Sequence, residues 1–191
     1  MAHEETDLIL RAQTGDHRAF GLLIQRYDQG ILRLACEVAG SPEDGKDICQ
    51  EALVAAYRAL PGFRMQSSFY TWLYRIAINK ALKFRRSRSS IAGRRPHEAT
   101  PVDLERDVGD IPAPDATPED RLLDRELSDE IASAQAALSP RERTAFVLCH
   151  REGHAISKAA ELMGCSDGAI KSYLFRARDK MKRSLRVYLE G

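Results

Sequence analysis

The stretch from Ile156 to Phe175, ISKAAELMGCSDGAIKSYLF, permits few folds. Gly164 stands where a turn between two helical runs needs a residue that tolerates positive φ, and the small Ala160 sits where two helices cross closely. Apolar Met163 and Ile170 flank that turn, so the pattern is a helix-turn-helix. Ile170, Leu174, Ala177 and Met181 recur at helical spacing and form the packed stripe of the second helix. Its other side presents Lys171, Ser172, Phe175, Arg176 and Arg178 as candidate contacts to duplex DNA, because the second helix of such a motif lies in the major groove. Arg or Lys donates to guanine, and an apolar edge such as Phe175 suits a thymine methyl. For most of Arg176, Arg178, Lys180, Lys182 and Arg183, sequence-blind phosphate contact is the simpler expectation.

Charge bears on this reading through its distribution. The 191 residues carry a net charge of only +1, which spread evenly would argue against a nucleic-acid partner. The charge is segregated. Seven basic residues and no acid lie between Lys80 and Arg95, namely Lys80, Lys83, Arg85, Arg86, Arg88, Arg94 and Arg95. Eight carboxylates follow between Glu98 and Asp120 with only Arg106 among them, and seven basic residues with one Asp179 lie between Lys171 and Arg186. Two basic surfaces are thus separated by an acidic connector. Cys36, Cys49, Cys149 and Cys165 form no C-x-x-C pair and have no His at ligand spacing, so neither a zinc site nor a disulfide framework is expected. No apolar run is long enough to span a bilayer, and the composition fits a cytoplasmic protein.

Everything regular reads as helical. Leu8 and Ile9 begin a short helix that ends near Gly15, and Asp16 caps a second one with Phe20, Leu23, Ile24 and Tyr27 at helical spacing. Ile31, Leu34, Ala35 and Val38 continue that stripe to Gly40. Ser41-Pro42-Glu43-Asp44 supplies a cap, a proline at the first helical position and acids in the first turn. The same device recurs as Thr117-Pro118-Glu119-Asp120 and as Ser139-Pro140-Arg141-Glu142, each marking a helix start. The first predicts a helix carrying Leu123, Leu127, Ile131, Ala134 and Leu138, the second one carrying Phe146 and Cys149. Between the halves, residues 87–116 hold Pro96, Pro101, Pro112 and Pro114 with no sustained apolar period and read as a linker. About thirty residues extended at ~3.3 Å each reach roughly 100 Å, enough to place two domains on separated DNA sites.

Phe63 to Arg86, FRMQSSFYTWLYRIAINKALKFRR, sets five aromatic residues before a basic tail. Ser68 caps the helix that follows. Phe69, Leu73 and Ile76 share a core face, whereas Trp72, Arg75, Asn79 and Lys83 share another at spacings of three and four. Aromatic rings stack on unpaired bases of any identity and basic groups hold the backbone, so this second face suits single-stranded DNA.

Several motifs then carry a family resemblance. Asp47-Ile48-Cys49-Gln50-Glu51, Tyr57-Arg58-Ala59-Leu60, Phe63-Arg64 and Ser67-Ser68-Phe69-Tyr70-Thr71-Trp72-Leu73-Tyr74-Arg75-Ile76-Ala77-Ile78-Asn79 occur in that order. Glu152-Gly153, Gly168-Ala169-Ile170-Lys171-Ser172 and Phe175-Arg176-Ala177-Arg178 follow. With these, the chain resembles the extracytoplasmic-function (ECF) group of bacterial sigma factors, and within it the sigma-E-like branch, over nearly its whole length apart from the linker.

The resemblance implies an all-α protein: a sigma region 2 domain at 1–86, a long flexible linker at 87–116 and a sigma region 4 domain at 117–191. It implies a non-enzymatic subunit, without cofactor or metal, that binds core RNA polymerase, directs it to specific promoters of a stress or envelope regulon and assists melting. By that similarity Asp47, Gln50 and Glu51 dock on the coiled coil of the polymerase clamp. Phe63, Arg64, Met65, Gln66 and Ser67, with Trp72, Arg75, Asn79 and Lys83, capture a flipped base and hold the melted minus-10 strand. Lys171, Ser172, Phe175, Arg176 and Arg178 read the minus-35 duplex. An anti-sigma factor is the expected regulatory partner, holding the protein at the membrane where that partner is anchored there. Met65-Gln66 stands where the family often has Gly-Asp, Lys171 and Tyr173 where sigma-E-like proteins tend to have Arg, and Cys149 where they carry a basic residue. Neither promoter sequence therefore transfers from the family. The alternative is a helix-turn-helix activator or repressor acting on duplex DNA, such as the response regulators whose output domain also begins LSPRER. That class needs an α/β receiver, which the helical N-terminal half does not offer.

Overall fold

The computed structural model describes residues 2–91 and 130–186, and every regular element among them is helical. In order they are α1 (Ala2–Gln13), α2 (His17–Ile24), α3 (Asp28–Ala39), α4 (Pro42–Ala59) and a 3-10 turn (Leu60–Gly62). Then come α5 (Phe69–Ile91), α6 (130–136), α7 (Pro140–Phe146) running into a π-helical turn (Val147–Arg151), α8 (Ile156–Met163) and α9 (Asp167–Ser184). The expected helix start at Thr117-Pro118-Glu119-Asp120, the acidic connector and nearly all of the 87–116 linker lie outside the described residues. Helix α5 itself runs to Ile91, past the boundary placed at 86.

Local chemistry sets the helix ends. The side chains of Asp16, Ser41 and Ser166 accept from backbone N–H groups in the first turns of α2, α4 and α9, filling donors that have no partner within the helix. Ser68 Oγ accepts from Thr71 N at 3.2 Å at the head of α5. Ser139 and Glu142 complete a reciprocal capping box on α7. Gly40 ends α3 and Gly164 ends α8, both in the left-handed region at φ +82° and +61°.

One expected continuity fails. The apolar stripe from Phe20 to Val38 keeps its phase, yet the chain turns at residues 25–27 and divides into α2 and α3. Tyr27 leaves the helical region at φ −130°, its hydroxyl donates to Glu5 Oε2 at 2.7 Å, and its ring lies against Phe69 and Tyr70. Those tertiary contacts hold the tyrosine out of register and outweigh local periodicity.

Helices α1 to α5 pack around Leu23, Ile31, Leu34, Leu60, Phe69, Leu73 and Ile78, all buried. Helices α7 to α9 pack around Leu148, Leu162 and Ile170. The two halves are docked rather than held apart: α5 lies against α8 and α7, and α3 against α7 and the π-helical turn. One continuous apolar cluster therefore runs from Leu8 of α1 to Leu174 of α9.

Helices α3 and α4 approach closely at Gly45. A Cβ on Gly45 would come within 2.6 Å of the Cys36 backbone nitrogen and overlap its sulfur. Gly45→Ala is expected to force these helices apart and destabilise the protein by about 2 kcal/mol, read as a lower urea midpoint.

Candidate nucleic-acid interface

The loop between the 3-10 turn and α5 is held from behind. Gln13 Nε2 donates to Leu60 O at 3.1 Å and to Phe63 O at 2.8 Å, a brace from α1 that no sequence pattern announces. Phe63 is 7% exposed and its ring packs on Trp72 at 4.9 Å and Phe69 at 5.9 Å, so it shapes the loop from inside. Arg64, Met65 and Gln66 are exposed beyond it and Ser67 is half-buried. Met65 takes φ +55°, a left-handed conformation in which the chain bends at a bulky side chain. Trp72 is half-buried between Phe63 and Phe69, so it belongs partly to the core and partly to the surface. Arg75, Asn79 and Lys83 are exposed on the same side of α5, as their spacing predicts.

On α9 the structure separates side chains that the sequence treats alike. Lys171, Ser172 and Phe175 are exposed, with Phe175 at 73%. Arg178 is exposed too, its NH2 group 3.2 Å from His150 Nε2. Arg176 is engaged: its Nε donates to Glu142 Oε1 at 3.1 Å, its NH1 donates to Ser172 Oγ at 3.0 Å, and its guanidinium lies over the Tyr173 ring. Lys180 donates to the second oxygen of Glu142 at 2.7 Å, and Arg183 pairs with Asp179. Burial alone would raise the Glu142 carboxyl, but the hydrogen bonds from Lys180 and Ser139 outweigh it and hold the group down at about 2.

Asp47, Gln50 and Glu51 are exposed on one side of α4 and line a groove with Val54, Ala55, Arg58 and Lys80. Glu51 pairs with Lys80 of α5 at 3.2 Å. The groove is thus built by two helices, where the motif alone indicated one.

The docked halves meet over α5. Arg75 Nε donates to Glu161 O of α8 at 2.9 Å, Lys158 Nζ donates to Thr71 Oγ1 at 2.7 Å, and Tyr70 OH shares a hydrogen bond with His154 Nε2 at 2.8 Å. Asn79 and Lys83 line a cleft with Arg141, Met163, Cys165 and Tyr173 of the helix-turn-helix half. At the other edge Arg143 donates to Glu37 O at 2.6 Å and Arg151 pairs with the Glu37 carboxylate at 3.2 Å. Glu152 lies beside them, 13% exposed, with one carboxyl oxygen buried and unpartnered among the described residues. Burial first, and then Glu37, push its carboxyl up to about 7, while Arg33 acts the other way.

Comparison with known proteins accords with this geometry. The family model of sigma-70 region 2 matches residues 23–91, and that of sigma-70 region 4 matches residues 128–181. The chain is similar to the RNA polymerase sigma-H factor of Pseudomonas aeruginosa, at 38% identity over 97% of this chain and 96% of that protein. It is similar to the ECF RNA polymerase sigma-E factors of Haemophilus influenzae, at 36% over 97% and 98% of the two chains, and of Escherichia coli, at 35% over 94% of each. Among solved structures, CnrH in complex with the cytosolic domain of CnrY superposes with a TM-score of 0.64 at 24% identity, covering 96% of this chain and 98% of that one. The sigma factor RpoE of Bartonella quintana, solved with the anti-sigma factor NepR, gives the same TM-score at 21% identity over 88% and 97%. The fold is that of a two-region sigma-70 protein. The chain belongs to the ECF family of RNA polymerase sigma factors, in the sigma-E-like branch.

Met65 and Glu152 each lead to a measurable consequence. Met65→Gly removes a side chain from a left-handed position where the family often has glycine, and is expected to leave stability unchanged or raise it by up to about 1 kcal/mol in thermal unfolding. For Glu152, the carboxyl of the docked form sits at about 7 against an ordinary 4.5, so the docked form binds the extra proton. Its contribution to docking is full below about pH 4.5 and is lost as the pH rises through about 7. The groups that face it are Glu37 and Arg33 of α3, Tyr70 and Tyr74 of α5, and the neighbouring His154, with Lys158 of α8 beyond. His154 is pushed down, by burial and then by Lys158, and opposes the trend below its ordinary value of 6.5. The separation between labels placed on α4 and α9 is expected to grow from pH 6 to pH 8 in the native protein and to respond much less in Glu152→Gln.

Proposed function

We propose that this protein is the promoter-recognition subunit of a bacterial RNA polymerase: it joins the core enzyme, brings it to specific promoters and helps open the duplex, acting in the cytoplasm. The observation that carries this reading is the pairing, in one chain, of two different nucleic-acid surfaces. Helix α5 presents a tryptophan edge with Arg75, Asn79 and Lys83, a surface suited to an unpaired strand, and α9 presents Lys171, Ser172 and Phe175 as a duplex reader would. Family membership supports the rest. The groove of Asp47, Gln50 and Glu51 is assigned to the polymerase clamp, the Phe63–Ser67 loop with α5 to the minus-10 strand, and α9 to the minus-35 element. Binding the displaced bases offsets the unstacking of a few base pairs, so melting needs no covalent step from this chain. An activator acting on duplex DNA alone would leave the α5 surface without a role.

In the docked form Arg75 is committed to the Glu161 carbonyl and α8 covers part of α5. Engagement with polymerase and promoter therefore requires the halves to separate. An anti-sigma factor, the regulatory partner that family membership implies, would act by holding the polymerase-binding surfaces covered.

The direct test is reconstitution: the protein added to core RNA polymerase yields specific transcripts from a promoter library, with open complexes detected by permanganate reactivity of unpaired thymines. A footprint on duplex DNA without polymerase, and no transcript from any promoter, would sink the reading. Within it, Trp72→Ala is expected to reduce open-complex formation by about tenfold or more, the worth of one stacked base, while minus-35 duplex binding stays within about twofold. Equal losses in the two assays would make Trp72 a core residue only.

A further inference from the structure

Glu142 stands out among the buried polar groups because the capping box accounts for only part of its bonding. Its side chain is 5% exposed and both oxygens are engaged: Oε1 accepts from Arg176, and Oε2 accepts from Lys180 and from the Ser139 backbone N–H at 2.9 Å. A cap needs one of these bonds. The other two cross from α7 to α9 and fix cations one helical turn apart.

The consequence lies in what remains of Arg176. A guanidinium has five N–H donors in a rigid plane. The Nε donor is taken by Glu142 and one NH1 donor by Ser172, and the ring of Tyr173, whose hydroxyl accepts from Arg141 at 3.0 Å, lies under the plane. The donors left over are at the NH1 and NH2 end, on a side chain that is 48% exposed. Two N–H groups projecting together from a plane that cannot rotate match the O6 and N7 acceptors of guanine. A flexible phosphate contact needs no such fixing.

We propose that Glu142 is a positioning residue for base reading: its carboxylate fixes the Arg176 plane so that the free edge donates to one guanine of the minus-35 element. This rests on the assignment of α9 to that element. Glu142 touches no base itself, so its loss changes the pattern of discrimination rather than the general attraction to DNA.

Holoenzyme assembled from the full chain and core RNA polymerase is allowed to select among duplexes randomised across the minus-35 element. The native protein is expected to prefer guanine at one position by about tenfold or more. Glu142→Leu, an apolar replacement of similar size, is expected to erase that preference and leave the other positions unchanged. Arg176→Lys keeps the charge facing Glu142 but lacks the two-donor edge, and is expected to lose preference at the same position. Ser139→Ala removes the hydroxyl cap while keeping the backbone N–H on Glu142; it lowers thermal stability and retains the preference. Uniform weakening at every position in Glu142→Leu, or an intact preference in Arg176→Lys, overturns the proposal. If Glu142→Leu does not fold by circular dichroism, Glu142→Gln, which keeps the side chain's shape but cannot accept at both ends, takes its place with the same expected loss. If the native holoenzyme selects no minus-35 sequence, the assignment of α9 fails and takes the proposal with it; an unchanged profile in Glu142→Leu, with the preference lost in Arg176→Lys, overturns the role of Glu142 alone.

Discussion

The docked arrangement depends on how the C-terminal end of α3 is satisfied. A helix leaves its last carbonyls without partners, and the partial negative charge there favours a cation. At α3 two guanidinium groups from other helices take them: Arg143 of α7 donates to Glu37 O, and Arg85 of α5 donates to Ala39 O at 3.0 Å. The left-handed turn at Gly40 leaves room, since a Cβ there would meet the Arg143 guanidinium at 3.0 Å. Arg143 is 5% exposed, and its burial and then the nearby Arg85 push its pKa down to about 10, with Glu37 countering. A charge is tolerated there because a helix end and a carboxylate face it. The helix-turn-helix half is therefore seated on a helix terminus of the other half.

This kind of seat can be left as well as occupied. The specific contacts over α5, Tyr70 with His154, Lys158 with Thr71 and Arg75 with Glu161 O, join groups that water serves nearly as well once the halves separate. Opening exposes mostly polar atoms at these points and relieves the unpartnered Glu152 oxygen. Of these α5 residues Arg75 is the one that the proposed function gives to the melted strand, so on that assignment the strand and α8 compete for it. Under the proposed function, competition of that kind would tie promoter opening to domain separation without any further moving part.

Much of this fold was legible in the chain because caps and periodicity are local. Asp16, Ser41 and Ser139 cap as their spacing indicates, and Gly40 and Gly164 take the left-handed conformation that their positions require. The break at Tyr27 was hidden, since its cause is a hydroxyl bond to Glu5 and two ring contacts far along the chain. Trp72 was ambiguous for a physical reason: a ring suited to stacking on a base is equally suited to packing on Phe63, and here it is half-buried against that ring. Phe63 stands in the loop where its motif places it, with its ring packed inward on Phe69 and Trp72, which the motif does not show. Gln13, Glu37 and Arg143 could not be found at all, because each acts across tens of residues through hydrogen bonds with no repeat to mark them.

Charge shows the same division between local and spatial information. Counting cations from Lys171 to Arg186 gives seven, and on that count alone the duplex affinity should fall steeply with salt. Three of them, Arg176, Lys180 and Arg183, are paired to Glu142 or Asp179 on the folded surface. A cation already facing a carboxylate has shed part of its attraction for phosphate, so fewer counterions are released than the sequence implies. On the proposed assignment of α9 to the minus-35 duplex, Lys171 and Phe175, exposed in its N-terminal half, carry proportionally more of the contact. Part of the basic run serves to hold the recognition helix in place, and sequence discrimination gains what non-specific affinity gives up.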